Sequence, residues 1–189
     1  TFFVVYGSAT HLVDLREVKV IEREFPLLRP KEVNTAIKKA LHRKMVVVGA
    51  CIGTDAQTVG IDAILNINGF AGEKGLEYYS ELKVVNGGAQ VLVPELVALA
   101  HSEKADAVLV SQVVTQKDAH IHNTQTMSAA FREAYPAGKV PLLVVGGPRF
   151  EQGSADKLGV DRIFGKGTTP GEVASYLVHA LATTKEHVR

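Results

Sequence analysis

From Met45 onward, short runs of almost pure aliphatic residues alternate with longer amphipathic stretches, and glycines punctuate the joins. Nothing else in the chain restricts its fold so strongly. Strand candidates are Met45–Gly49, Lys83–Val85, Ala107–Ser111, Pro141–Val145 and Arg162–Phe164. The first, third and fourth are nearly all Val, Leu and Ala, as parallel strands buried on both faces require. Helix candidates lie between and after them: Thr58–Ile67, Pro94–Lys104, Asn123–Tyr135, Ser154–Leu158 and Pro170–Ala182. Pro94 and Pro170 suit a first helical turn, where the missing N–H is no loss. Turns at Gly87-Gly88, Gly138, Gly146-Gly147 and Gly165–Gly167 separate the units. Strands alternating with helices predict an open, doubly wound parallel sheet in the order 2-1-3-4-5, with Met45–Gly49 central. Such sheets take ligands outside the carboxyl ends of the strands, where the strand order reverses. That rule selects three loops: Ala50–Gln57, Ser111–His122 and Gly146–Gln152.

Residues 1–43 read differently. Thr1–Gly7 is a β-branched and aromatic strand, and Glu17–Glu22 alternates charged with apolar residues, as on a sheet with one wet face. A helix follows from Lys31 to His42, with Val33, Ile37 and Leu41 on one face. Two strands and a helix do not make a stable domain. The opening strand has no lead-in, so the segment reads as the tail of a truncated accessory domain, with a second domain at 44–189.

Composition narrows the function classes. With a net charge of +1 over 189 residues, the chain lacks the basic stripe of a nucleic-acid protein. Its longest basic cluster, Lys38 to Lys44, reads as the exposed end of a helix. No apolar run approaches the ~20 residues of a membrane span. Cys51 is the single cysteine, which excludes an internal disulfide and fits a reducing, cytoplasmic setting.

The first selected loop contains no Gly-x-Gly-x-x-Gly and no phosphate-binding Gly-x-x-x-x-Gly-Lys. It does hold Asp55-x-Gln57-x-x-Gly60, followed by Ile61-Asp62. Taken alone, Asp55 reads as a helix N-cap. Likewise, Ser111 reads as a strand-end serine bonding its own backbone, and Gly146-Gly147 as a tight turn. Together, in this order and after the first, third and fourth strands, they resemble a family signature. Asp55-x-Gln57-x-x-Gly60 is similar to the Asp-x-His-x-x-Gly motif of base-off cobalamin-binding domains, Ser111-Gln112-Val113 to their Ser-x-Leu element, and Gly146-Gly147 to their double glycine. The runs at 47–55 and 59–64, Gly75–Tyr78 and Val110–Gln116 resemble the small subunits of lysine 5,6-aminomutase and the related ornithine 4,5-aminomutase. Thr1–Gly7 resembles the end of that subunit's dimerisation domain.

The resemblance implies a flavodoxin-like (Rossmann-like) cobalamin domain. The cofactor's dimethylbenzimidazole tail would swing off cobalt into a slot beside the Thr58 helix. Asp55, Gln57, Thr58, Gly60, Ser111, Val113, Gly146 and Gly147 are the implied contacts. Ser111 would bond the freed tail nitrogen, and the glycines would admit the tail where any Cβ would intrude. Adenosylcobalamin in its base-off state is the implied cofactor, with pyridoxal phosphate carried only by a large barrel-type subunit in a hetero-oligomer. The implied activity is a 1,2-amino shift on lysine or a similar diamino acid, with this chain inactive alone. Two positions depart from the pattern. Gln57 stands where the family has the cobalt-ligating His, and a neutral amide does not replace imidazole there, so Asp55 loses its orienting task. Asn68 stands where the aminomutases carry the Lys that forms a Schiff base with pyridoxal phosphate. Lys74, in a glycine-rich loop, is a poor substitute.

These departures keep a second function open, a non-catalytic cobalamin carrier, sensor or assembly module. A third is a flavodoxin-like domain with another ligand. His120 and His122 read as loop histidines near the site mouth, solvated or facing a cofactor or partner, with no Cys or carboxylate cluster to complete a metal site. Cys51, ending a buried strand, reads as packing.

Overall fold

The computed structural model describes residues 24–151 and 153–186. The strands expected at Thr1–Gly7 and Glu17–Glu22 lie outside these residues. The described chain forms α1 (Pro30–Leu41), β1 (Met45–Cys51), α2 (Val59–Leu65), β2 (Leu82–Asn86), α3 (Val93–Glu103), β3 (Ala107–Ser111), α4 (Ala119–Ala134), β4 (Leu142–Gly146), α5 (Ala155–Leu158), β5 (Arg162–Phe164) and α6 (Pro170–Glu186). Short 3-10 turns at Leu76–Tyr78 and Gln116–Asp118 precede β2 and α4.

The strands form one five-stranded parallel sheet in the order β2-β1-β3-β4-β5. The doubly wound topology is as the alternation predicts. The order is the predicted 2-1-3-4-5, with β1 inside the sheet between β2 and β3, because the chain crosses from β2 back over β1 to lay β3 on its far side. The carboxyl ends of β1 and β3, the adjacent strands whose connections leave in opposite directions, thus mark the crevice.

β1 is buried on both faces, and its side chains alternate between two cores as the pleat dictates. Met45, Val47 and Cys51 face a core shared with Val33 and Ile37 of α1, Ile61 and Leu65 of α2 and Leu177 of α6. Val48, Ala50 and Ile52 face a second core with Leu96 of α3, Met127 and Phe131 of α4 and Leu158 of α5. α1, expected in the accessory segment, therefore packs into the same core as the strands. Each such burial is worth about 1.5–3 kcal/mol. This packing, not intrinsic propensity, holds α2 and α5, whose 7 and 4 residues are too few for a helix to persist alone.

α4 begins four residues before the expected Asn123. Lys117 and Asp118 take left-handed φ values of 51° and 57°, which turn the chain sharply into the helix. His120 and His122 therefore lie on its first turn, not in a loop. His120 is buried with its ring edge-on to Phe150, centroids 5.1 Å apart, because the helix start faces the second core. This corrects the solvated reading of His120, while His122 is exposed.

Candidate functional site

At the carboxyl ends of the strands, between the sheet and helices α2 and α6, lies a cavity of about 300 Å³. Gly60, Ser111, Val113, Gly146 and Gly147 all line it, so residues from three separate loops converge there. Its walls are otherwise mostly aliphatic, with Ile61, Leu109, Val144 and Val173 prominent. Asp55, Gln57 and Thr58 stand beside the cavity, in the loop that leads into α2, and do not line it.

Two close approaches shape the slot. A Cβ on Gly60 would fall 2.6 Å from Ser111 Oγ, so the helix start rests directly on the hydroxyl. A Cβ on Gly147 would fall 2.2 Å from the backbone oxygen of Gln112. At both positions a Cβ would collide with the protein's own residues at the carboxyl end of β3, so glycine lets these segments pack closely there. Gly146 differs, because its nearest neighbour to such a Cβ is 3.8 Å away.

The loops around the slot are held by buried polar groups. Asp55 is 1% exposed and does not cap α2, whose N-cap is Thr58. Its Oδ1 accepts from Gln57 N at 3.0 Å, and its Oδ2 accepts from Val114 N at 3.1 Å and from Val113 N. One carboxylate thus ties the loop after β1 to the loop after β3. Gln112, also 1% exposed, makes a parallel tie: Nε2 donates to Ile52 O at 2.9 Å, and Oε1 accepts from Asn123 Nδ2 at 3.0 Å. Sequence reasoning quoted Gln112 only as part of a motif. The signal was there, since an amide directly after a strand of Ala, Val and Leu that ends in Ser111 must find partners where it is buried.

Gln57 is exposed, its backbone fixed by Asp55 and by Cys51, whose Sγ donates to Gln57 O at 3.3 Å. Asn68 is exposed in the loop after α2, where its N–H donates to Asn66 Oδ1 at 2.9 Å. The structure therefore places Gln57 and Asn68 in two different loops, one on each side of α2. Among the described residues, no group of three His, Cys, Asp or Glu side chains could hold a metal ion.

Burial pushes the Cys51 thiol up to about 11, with Asp55 and Asp62 adding to the rise and the Ser111 hydroxyl bond opposing it. The folded chain then keeps a proton that the unfolded chain, with a thiol pKa of about 8.5, has released. Stability should therefore fall as pH rises from about 9 towards 11, by roughly 2–3 kcal/mol at about 1.4 kcal/mol per unit. Burial raises Tyr176 to about 12, which adds in the same direction at the upper end. Urea midpoints measured from pH 8 to 10.5 should show this slope, and Cys51→Ala should flatten it. An equal slope in the variant would assign the loss elsewhere.

A parallel α/β sheet with an apolar slot at its switch point defines a doubly wound domain with a ligand-sized cavity at the carboxyl ends of its strands. Residues 45–174 match the family model of the B12 binding domain. The chain is 42% identical over 181 residues to the lysine 5,6-aminomutase beta subunit of Acetoanaerobium sticklandii, covering 96% of this chain and 69% of that one. It is 40% identical over 178 residues to the subunit of the same name from Fusobacterium nucleatum, covering 94% and 67%. A solved cobalamin-binding protein from Desulfitobacterium hafniense shares the fold, with a TM-score of 0.54 at 15% identity over 80% of this chain and 67% of that one. The chain belongs to the B12-binding domain family and, within it, to the lysine 5,6-aminomutase beta subunits.

Proposed function

We propose that this chain is the cobalamin-binding subunit of an aminomutase that uses adenosylcobalamin and pyridoxal phosphate, and that it works with a large barrel-type subunit. The observation that carries this reading is the slot. Gly60 lies against Ser111, and Gly147 lies against the Gln112 backbone, at the switch point of a sheet whose family is B12-binding. An aromatic base such as dimethylbenzimidazole suits aliphatic walls with one hydroxyl at hand, and Ser111 supplies that hydroxyl. Gly60, Val113, Gly146 and Gly147 form the walls. When bound, adenosylcobalamin supplies a carbon radical, and pyridoxal phosphate on the partner assists the 1,2-shift of an amino group on lysine or a similar diamino acid.

This chain's own residues do the holding. Asp55 and Gln112 fix the loops that carry the slot, and Gln57, a neutral amide, would offer the cofactor no imidazole. Asn68 offers no amine to pyridoxal phosphate, so that cofactor is held wholly by the partner. Incubating the chain with adenosylcobalamin should therefore give the base-off visible spectrum at neutral pH. Gln57→His places an imidazole at a backbone position that Asp55 and Cys51 already fix, and it should shift that spectrum to an imidazole-ligated form. An unchanged free-cofactor spectrum with both proteins would overturn the proposal.

A further inference from the structure

Among the described residues that line the slot, Lys166 is the sole charged side chain. It stands in the loop between β5 and α6, flanked by two glycines. Gly167 there takes a left-handed φ of 87°, and Thr168 Oγ1 closes the loop by donating to Gly165 O at 3.0 Å. Lys166 itself is exposed, so its ammonium sits at the rim rather than in the apolar depth.

The start of α2 also reaches the slot, but that helix has only 7 residues, so the start of α6 is the longer helix end where an anion would ordinarily settle, through free N–H groups and the helix dipole. Here those donors are engaged by the protein. Gly171 N donates to Glu73 Oε2 at 2.9 Å, and Thr169 N donates to Glu172 Oε2 at 3.0 Å. The Glu73 contact is built in, for a Cβ on Gly171 would lie 2.5 Å from the same oxygen. Two carboxylates at this end repel an incoming anion. Anion recognition at the slot therefore falls to the lysine.

We propose that Lys166 is a specificity-determining residue that selects corrinoids carrying an anionic nucleotide tail, by pairing with the tail's phosphodiester at the slot rim. This rests on the cobalamin reading above and adds to it a discrimination between corrinoids. Aliphatic walls and one hydroxyl accept the base, but they give no reason to prefer a ligand that also brings a negative charge. Lys166 gives that reason.

The test is equilibrium binding of adenosylcobalamin and of adenosylcobinamide, which lacks the nucleotide tail and its phosphate, to the full chain at low and high salt. Lys166→Ala should weaken adenosylcobalamin about fivefold at low salt, as loss of one partly exposed ionic hydrogen bond predicts. It should leave adenosylcobinamide unchanged. Lys166→Arg should retain the preference, and Lys166→Glu should weaken adenosylcobalamin further than alanine does. In the unmodified chain the preference should shrink as salt rises, since the pair is screened. Equal weakening of both corrinoids, or of neither, would overturn the assignment, as would an arginine variant no better than alanine. If the unmodified chain takes up neither corrinoid, the cobalamin reading itself has failed and this inference falls with it. If it takes up adenosylcobalamin and the lysine variants do not differ, only this inference falls.

Discussion

Asp55→Ala should destabilise the chain by about 4 kcal/mol, the cost of leaving several buried donors without an acceptor. Three backbone N–H groups, those of Gln57, Val113 and Val114, donate to this carboxylate. With the side chain 1% exposed, water has little access to replace it. A residue that merely capped a helix would cost about 1 kcal/mol on the same change. The magnitude therefore separates a loop clamp from a cap. Asp55→Asn keeps one acceptor oxygen but turns an amide donor toward N–H groups, so it should fall between wild type and alanine. Urea unfolding gives the answer directly. A loss near 1 kcal/mol for alanine would show that the two loops hold together without the carboxylate. The motif that Asp55 resembles would give it a histidine to orient, and residue 57 here is Gln. The clamp is a reason for Asp55 that does not depend on the side chain at position 57.

The two adjacent glycines should behave in opposite ways. Gly147→Ala drives a methyl to 2.2 Å from the Gln112 carbonyl oxygen, a backbone atom. That backbone is held by its own bond from Gln112 N to Gly146 O at 2.9 Å, so it cannot yield cheaply. A loss of about 3 kcal/mol or more is expected, at or above the upper end for overpacking. Gly146→Ala meets nothing closer than 3.8 Å, so its stability should stay within about 1 kcal/mol of wild type. Yet Gly146 lines the slot, so its new methyl, and more so the side chain of Gly146→Val, should reduce adenosylcobalamin uptake. The pair is read by unfolding and ligand titration on the same samples. Should Gly147→Ala prove as stable as wild type, the close approach does not govern the fold. Should Gly146→Val bind normally, the slot is not where the ligand tail lies.

Asp55 and Gly147 also mark how far the sequence could be read. Each was picked out by position in a motif, but its physical task was not legible there. The bond from Val113 to Asp55 joins residues 58 apart, and the sequence on either side carries no local signal of it. Lys166 and Gln112 show the same limit. One looked like part of a glycine turn and the other like a motif spacer, until the fold set Lys166 at the slot and gave the buried Gln112 amide its partners in two other segments.

What the sequence determined by itself was the order of strands and helices, the parallel sheet, and the three loops at the switch point. Aliphatic runs, proline at helix starts and glycine at turns act within a few residues, and the topology follows from a small set of allowed connections. Only the tertiary structure decided the rest. It started α4 early enough to bury His120 against Phe150, and aimed the Asp55 carboxylate at two N–H groups of a distant loop. The physical reason is that a buried polar group must find its partner wherever the packed sheet leaves one, and the strand order sets that place.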